Sequence, residues 1–430
     1  MMTEQQREAL DFRQNIAIAL LSVLAVLLFS RTELFHLGWE TLNDAFLSAP
    51  TRAAPEQREA VDTGLIFPMR FAATGVYGGV YGRYVVVNMS SRGRSFRTTR
   101  RLFADALTAS EPFEQSSREE FLDALRGTSL YCDFLNPLPL SLLAGLAGAE
   151  LRDERPARAL ALARTPDGVK LCLWDGDGNY FRRAAPLARR ELDAVISGYE
   201  LSGGLFADDA DGAYGRVFPL SLFPETLPSP PIYAAVSGLP DPDSFLTAFR
   251  FNPLTKSRYT EANGTQVIMD GGRSVRIRTN GAIYYQDSGR GDLTIESAGE
   301  IPSGWEAAVE CSALLNEILV PQGCAPVYPT QIRRQDNLTV LRFGCALDNL
   351  PVFRVDGEAA AVVTLDGRNI AALELRPRRY AATDTESLLL PIEQALGLAE
   401  TRPGAELLLG YQDTGGARVS AQWFAAPDVS

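Results

Sequence analysis

The chain has 430 residues, 46% hydrophobic and 22% charged, a folded-protein composition with room for two or three domains of about 100–200 residues each. Acidic residues outnumber basic ones by 53 to 41 and the formal charge is −12, the wrong sign for tracking a phosphate backbone, so no nucleic-acid partner is expected. The one histidine, His36, argues against Ser-His-Asp and Cys-His catalysis, His-rich zinc sites and HExxH helices in the folded body.

Residues 1–14 are polar and read as a cytoplasmic tail. Ile16–Phe29 follows, an apolar run broken only by Ser22 and shorter than the roughly 20 residues that span a bilayer. Taken alone it suits a signal-peptide core, yet no small-x-small cleavage pattern follows at Phe29-Ser30-Arg31. Phe12 to Phe35 makes a longer helix if Arg13, Arg31 and Glu33 sit near its ends with the arginines snorkelling, and Phe35 and Trp39 then fall where an aromatic belt lies. The reading is an uncleaved transmembrane anchor over 15–35, with Arg7 and Arg13 keeping the N-terminus cytoplasmic and the body extracytoplasmic. On that helix Asn15, Ala19 and Ser22 fall within about 60° of one another, a small and polar stripe on which a partner helix can pack closely. Alanine-rich drift in an ordinary anchor gives the same pattern.

Residues 36–60, with Pro50 and Pro55, read as a stalk, and two α+β halves follow, 61–235 and 236–430. Tyr77–Asn88 alternates as a strand behind Gly75, Gly78 and Gly79. Arg92, Arg94, Arg97, Arg100 and Arg101 then place five arginines in ten residues without an acid among them. A solvated helix entrance explains them; an acidic partner, a lipid headgroup or an anionic wall polymer is the functional alternative. Thr98–Ala109 puts Leu102, Phe103, Ala106 and Leu107 on one helical face, and Ser116 and Ser117 precede Glu119 and Glu120 as a capping box for a helix ended by Gly127. Lys170–Trp174 and Asn179–Arg182 flank Asp175-Gly176-Asp177-Gly178 as a hairpin, and Leu187–Ser197 reads as a helix. Prolines crowd Phe218–Asp243, which reads as the boundary between the halves.

In the second half, strand patterns at Thr265–Met269, Ser274–Thr279 and Ala282–Gln286 are joined at Asp270-Gly271-Gly272 and Asn280-Gly281. A helix capped by Ser303 with Glu306 buries Trp305, Val309 and Leu315, and four strand signals run from Val327 to Leu375. A second helix, capped by Thr383 with Glu386, carries Leu389, Ile392 and Leu396, before strands at Glu406–Tyr411 and Arg418–Trp423. The expected fold is α+β, the halves built of mostly antiparallel sheets each covered by helices. The five cysteines, Cys132, Cys172, Cys311, Cys324 and Cys345, form no CxxC pair and read as buried thiols, with Cys311 and Cys324 the first pair to test for a disulfide.

Three stretches carry a family resemblance. Phe249-Arg250-Phe251-Asn252-Pro253, the run from Gly264 through Asp270-Gly271-Gly272-Arg273 to Ile277, and Gly281-Ala282-Ile283-Tyr284-Tyr285 resemble the corresponding segment of the YycH family. Leu350-Pro351-Val352, the Val362–Leu375 hairpin, and Gly410-Tyr411 with Trp423 resemble that family's carboxyl-terminal module. The likeness covers most of 240–424 and fits 60–235 in layout. It implies a bitopic, non-enzymatic accessory protein whose partners are a WalK (YycG) type sensor histidine kinase and a YycI-like relative at the membrane.

No cofactor or metal site is expected. Asp175-x-Asp177-x-Asn179 opens like a calcium loop, but Tyr180 replaces the required glycine and Pro186 falls where the closing glutamate belongs. Asp208-Asp209-Ala210-Asp211-Gly212 reads as a solvated loop, and Gly75 to Gly82 has no Lys-Ser/Thr to make a phosphate cradle. A ligand-binding or scaffolding ectodomain, and a cell-wall enzyme using two carboxylates at a separation only the fold reveals, are the alternatives.

Overall fold

Two antiparallel-dominated sheets organise the described residues. The computed structural model describes residues 68–86, 99–209, 214–254, 256–288, 293–348, 350–354, 357–400, 402 and 404–426, and within these the fold is mixed α+β. The expected tail, anchor and stalk, with Asn15, Ala19 and Ser22, lie outside the described residues, as do Arg92, Arg94 and Arg97. No helix among the described residues is long and apolar enough to cross a membrane.

The first sheet contains β1 (Arg70–Tyr77), β2 (Val80–Val86), β3 (Glu114–Ser116), β4 (Ser129–Pro139), β5 (Pro156–Thr165), β6 (Gly168–Trp174) and β7 (Tyr180–Ala185), in the spatial order β2-β1-β4-β5-β6-β7-β3. Gly78 and Gly79 both take positive φ, as a two-residue hairpin turn requires, so the expected strand is the second arm of a hairpin whose first arm begins at Arg70. Helix α1 spans 99–107 and buries Leu102, Phe103, Ala106 and Leu107 as its spacing predicts. Helix α2 (Arg118–Arg126) has the capping box in full, Ser117 Oγ accepting from Glu120 N–H and the Glu120 carboxylate accepting from Ser117 N–H. Helices α3 (Leu140–Ala147) and α4 (Arg189–Ser197) complete this half. Phe71 and Ala73 pack with α1 and α4 residues while Ala72 packs with Phe121 and Leu125 of α2, so β1 is buried on both faces. A short ribbon pairs β8 (Leu205–Phe206) with β9 (Leu222–Phe223).

The second sheet has thirteen strands: β10 (Pro231–Ser237), β11 (Ser257–Thr260), β12 (Gln266–Asp270), β13 (Arg273–Ile277), β14 (Ile283–Asp287), β15 (Val327–Gln335), β16 (Leu338–Leu347), β17 (Leu350–Arg354), β18 (Ala361–Asp366), β19 (Asn369–Leu375), β20 (Arg378–Glu386), β21 (Glu406–Asp413) and β22 (Arg418–Ala426). Its path is β11-β12-β13-β14-β19-β18-β16-β17-β21-β22-β10-β20, with β15 beside β16, and β17 pairs with β21 in parallel. Helix α5 is Pro242–Ala248. Helix α6 (Gly304–Leu319), capped by Ser303 and Glu306 as expected, buries Ala307, Cys311 and Leu315 and leaves Trp305 and Val309 half-buried.

The stretch read as a boundary also supplies strands, and one expected helix cap changes. The proline-rich stretch contains β9 and β10, and β10 joins the second sheet between β22 and β20. The pattern Thr383 to Glu386 does not cap a helix: these residues lie in β20, where Thr383 Oγ1 donates to the Ile232 carbonyl at 2.8 Å and the backbone pairs with β10. Helix α7 (Ile392–Glu400) starts after Pro391, whose carbonyl accepts from Gln394 and Ala395 N–H. One apolar cluster runs from Phe71 and Leu160 of the first sheet to Phe343 and Leu373 of the second.

Candidate functional site

The residues singled out in the sequence scatter. Arg100 and Arg101 lie on α1, where the Arg101 side chain is 90% exposed and lies 3.9 Å from Asp105. Asp208 pairs with Arg126 at 2.5 Å and Asp209 with Arg83, so this acidic loop start is tied into ion pairs instead of standing free in solvent. Asp175 accepts from Asp177 and Asn179 N–H and closes the hairpin turn. All five cysteines are buried and free, including Cys311 and Cys324. Burial pushes the Cys311 thiol up to about 12 and those of Cys324 and Cys345 to about 11, which keeps them protonated and unreactive.

The strongest electrostatic feature joins the two sheets. Arg70 of β1 pairs with Asp133 of β4 and with Glu406 of β21, while Arg158 of β5 lies 3.4 Å from Asp133 and 2.5 Å from Glu406. Two guanidinium groups and two carboxylates thus alternate in a closed, charge-balanced ring, every side chain at most 6% exposed. The Arg158 guanidinium also lies 4.6 Å over the Trp174 ring. Burial raises the Asp133 carboxyl, but Arg70 and Arg158 together outweigh it and hold the group at about 2. Burial opposes charge on Arg70 as well, and Asp133 with Glu406 more than restores it. With both carboxylates engaged by arginine, this ring acts as a clamp between sheets.

A second cluster is open to solvent. A cleft of about 260 Å³ lies among Ser237, the turn from Arg278 to Tyr284, Arg354, Glu358, Arg376–Arg378 and the Asp413–Gly415 turn. Arg378 is fixed from all sides: its Nε lies 2.7 Å from Asp413, and its Nη1 donates to Ser237 Oγ at 2.9 Å and to the Gly415 carbonyl. Arg376 pairs with Glu358 and Glu374. Arg354 donates to the Arg376 carbonyl at 2.9 Å, and Arg278 lies 4.3 Å over the Tyr284 ring. Among the described residues neither Arg278 nor Arg354 has a carboxylate partner. A second cleft of about 330 Å³, lined by Arg342 and Glu374, shares the Glu358 and Arg376 wall. This arrangement has the chemistry of an oxyanion receptor. No cluster of acidic, histidine or cysteine side chains among the described residues is grouped to hold a metal ion.

Neither the ring nor the cleft stood out in sequence. The ring's signal is a lone charge inside an apolar strand, as in Met69-Arg70-Phe71, Cys132-Asp133-Phe134, Ala157-Arg158-Ala159 and Ala405-Glu406-Leu407. The cleft's is the run Arg376-Pro377-Arg378-Arg379. No protein-family model, curated protein or solved structure matches the chain.

Proposed function

We propose that the protein is a non-enzymatic, membrane-anchored extracytoplasmic regulator that binds a two-component sensor histidine kinase of the WalK/YycG type and modulates cell-wall signalling. The observation that carries this reading is where the family-like segments fall. Val267–Ile277 and Ile283–Tyr285 occupy β12 to β14, β14 pairs with β19 of the Val362–Leu375 hairpin, and Leu350-Pro351-Val352 lies beside Tyr411, whose strand pairs with that of Trp423. Segments as much as 156 residues apart in the chain, Val267 and Trp423 at the extremes, therefore belong to one sheet, which supports treating them as one module resembling that family's.

In this reading the anchor over 15–35 holds two helix-covered α+β halves outside the membrane, and the Asn15, Ala19 and Ser22 stripe packs against the kinase's spans. Binding moves the kinase between signalling states only as far as the protein prefers one of them. Co-purification in mild detergent from cells expressing both proteins tests the contact. The kinase is expected in the eluate, and Ala19→Leu with Ser22→Leu is expected to deplete it while leaving membrane insertion intact. Clean recovery of the protein without the kinase would contradict the proposal.

A further inference from the structure

We propose that the cleft between the β13–β14 turn, the end of β17 and Arg376–Arg378 binds a small multivalent oxyanion, with Arg278 and Arg354 taking its carboxylate or phosphate groups. The wall carries Arg278, Arg354, Arg376 and Arg378 against Glu358 and Asp413, an excess of positive charge in a chain whose net charge is −12. Arg376 and Arg378 are spent internally, on Glu358, Glu374, Asp413 and backbone carbonyls, and they shape the wall instead of binding.

Arg278 and Arg354 are left over. Arg354 is half-buried and its Nε is out of solvent without a hydrogen-bond partner, while one terminal nitrogen is held by the Arg376 carbonyl. Among the described residues its other terminal nitrogen is left without a protein acceptor on a side chain that is only half-buried, and an anion entering the cleft supplies the missing acceptor and counter-charge. Asn280 commits its side-chain oxygen to Ala282 N–H at 3.1 Å, which leaves its NH₂ as a further donor at the same mouth. The turn bearing Arg278 and Asn280 is seated firmly: Gly281 lies so close to Gly238 that a Cβ there would stand 2.6 Å from the Gly238 Cα. Guanidinium forks match carboxylate and phosphate oxygens in pairs, and about 260 Å³ is near the small end of ligand pockets, suited to an anion the size of citrate or pyrophosphate.

The test is calorimetric titration of the purified full chain in detergent with citrate and, separately, pyrophosphate, at constant ionic strength. Saturable one-to-one binding of at least one anion is expected. Citrate alone identifies a carboxylate ligand and pyrophosphate alone a phosphate ligand. The paired change Arg278→Gln with Arg354→Gln should weaken that binding at least tenfold, and Arg342→Gln in the neighbouring cleft should leave it unchanged. No saturable binding of either anion, or equal binding by the paired variant, overturns the proposal. Should the variant misfold, phenylglyoxal labelling of the parent chain decides: the bound anion must protect Arg278 and Arg354 but not the exposed Arg101, and equal labelling with and without anion refutes the site. The site does not depend on the kinase, so failure here leaves the co-purification outcome intact, and the reverse.

Discussion

At Asp133 burial and charge act in opposite directions, and the two arginines prevail. Removing one member of a buried, paired set typically costs about 3–5 kcal/mol, because the partners are left charged in a low dielectric. Asp133→Asn should therefore lower stability to denaturant by about that amount. Arg101→Gln, at an exposed pair, should change it by less than about 0.5 kcal/mol. A loss under about 1 kcal/mol for Asp133→Asn would show that the ring does not hold the sheets. The pH dependence has a fixed sign. Because the folded group titrates at about 2, below its unfolded value of about 3.9, its contribution is present above about pH 5 and is lost as the pH falls toward 2. Each lone charge was visible in its apolar strand, but the meeting of Arg70, Asp133, Arg158 and Glu406 spans 336 residues and exists only once both sheets have formed.

Helices and turns show the same division between local and long-range information. The Ser117 and Ser303 capping boxes, the paired turn glycines and the Asp175 turn need only neighbouring residues, and they formed where the spacing predicts. The segment from Ser129 to Thr165 had no legible pattern: β4 contains Pro137 and Pro139 and takes a positive φ at Leu135, α3 is apolar almost all round, and β5 is buried along most of its length. Thr383 to Glu386 misled because a capping pattern cannot register that β10 waits to pair with it. Helix α3 also contains Gly145, where a Cβ would overlap the Trp305 indole of α6. Replacing a mid-helix glycine by alanine ordinarily gains about 0.5–1 kcal/mol, whereas overpacking against a fixed ring costs about 1–3 kcal/mol, so the overlap decides the sign. Gly145→Ala should lower the thermal midpoint, and a midpoint equal to or above the parent's would contradict this packing.

Across the molecule, composition and alternation conveyed an α+β body of mostly antiparallel sheets, while the parallel β17–β21 pair and the shared apolar cluster depend on strand order that no local pattern contains. The arginine cleft belongs to this level too, since its walls come from β10, the β13–β14 turn, β14, β17, β20, the end of β21 and the turn that follows it. On the proposed reading the protein biases a sensor kinase between two states, and a tenfold preference for one state amounts to about 1.4 kcal/mol of bias. The direct measurement is kinase autophosphorylation in vesicles, with the full chain co-reconstituted at increasing ratio. A saturable, several-fold change in rate is the expected result. Rates that stay the same across the titration, with both proteins verified in the same vesicles, would contradict it.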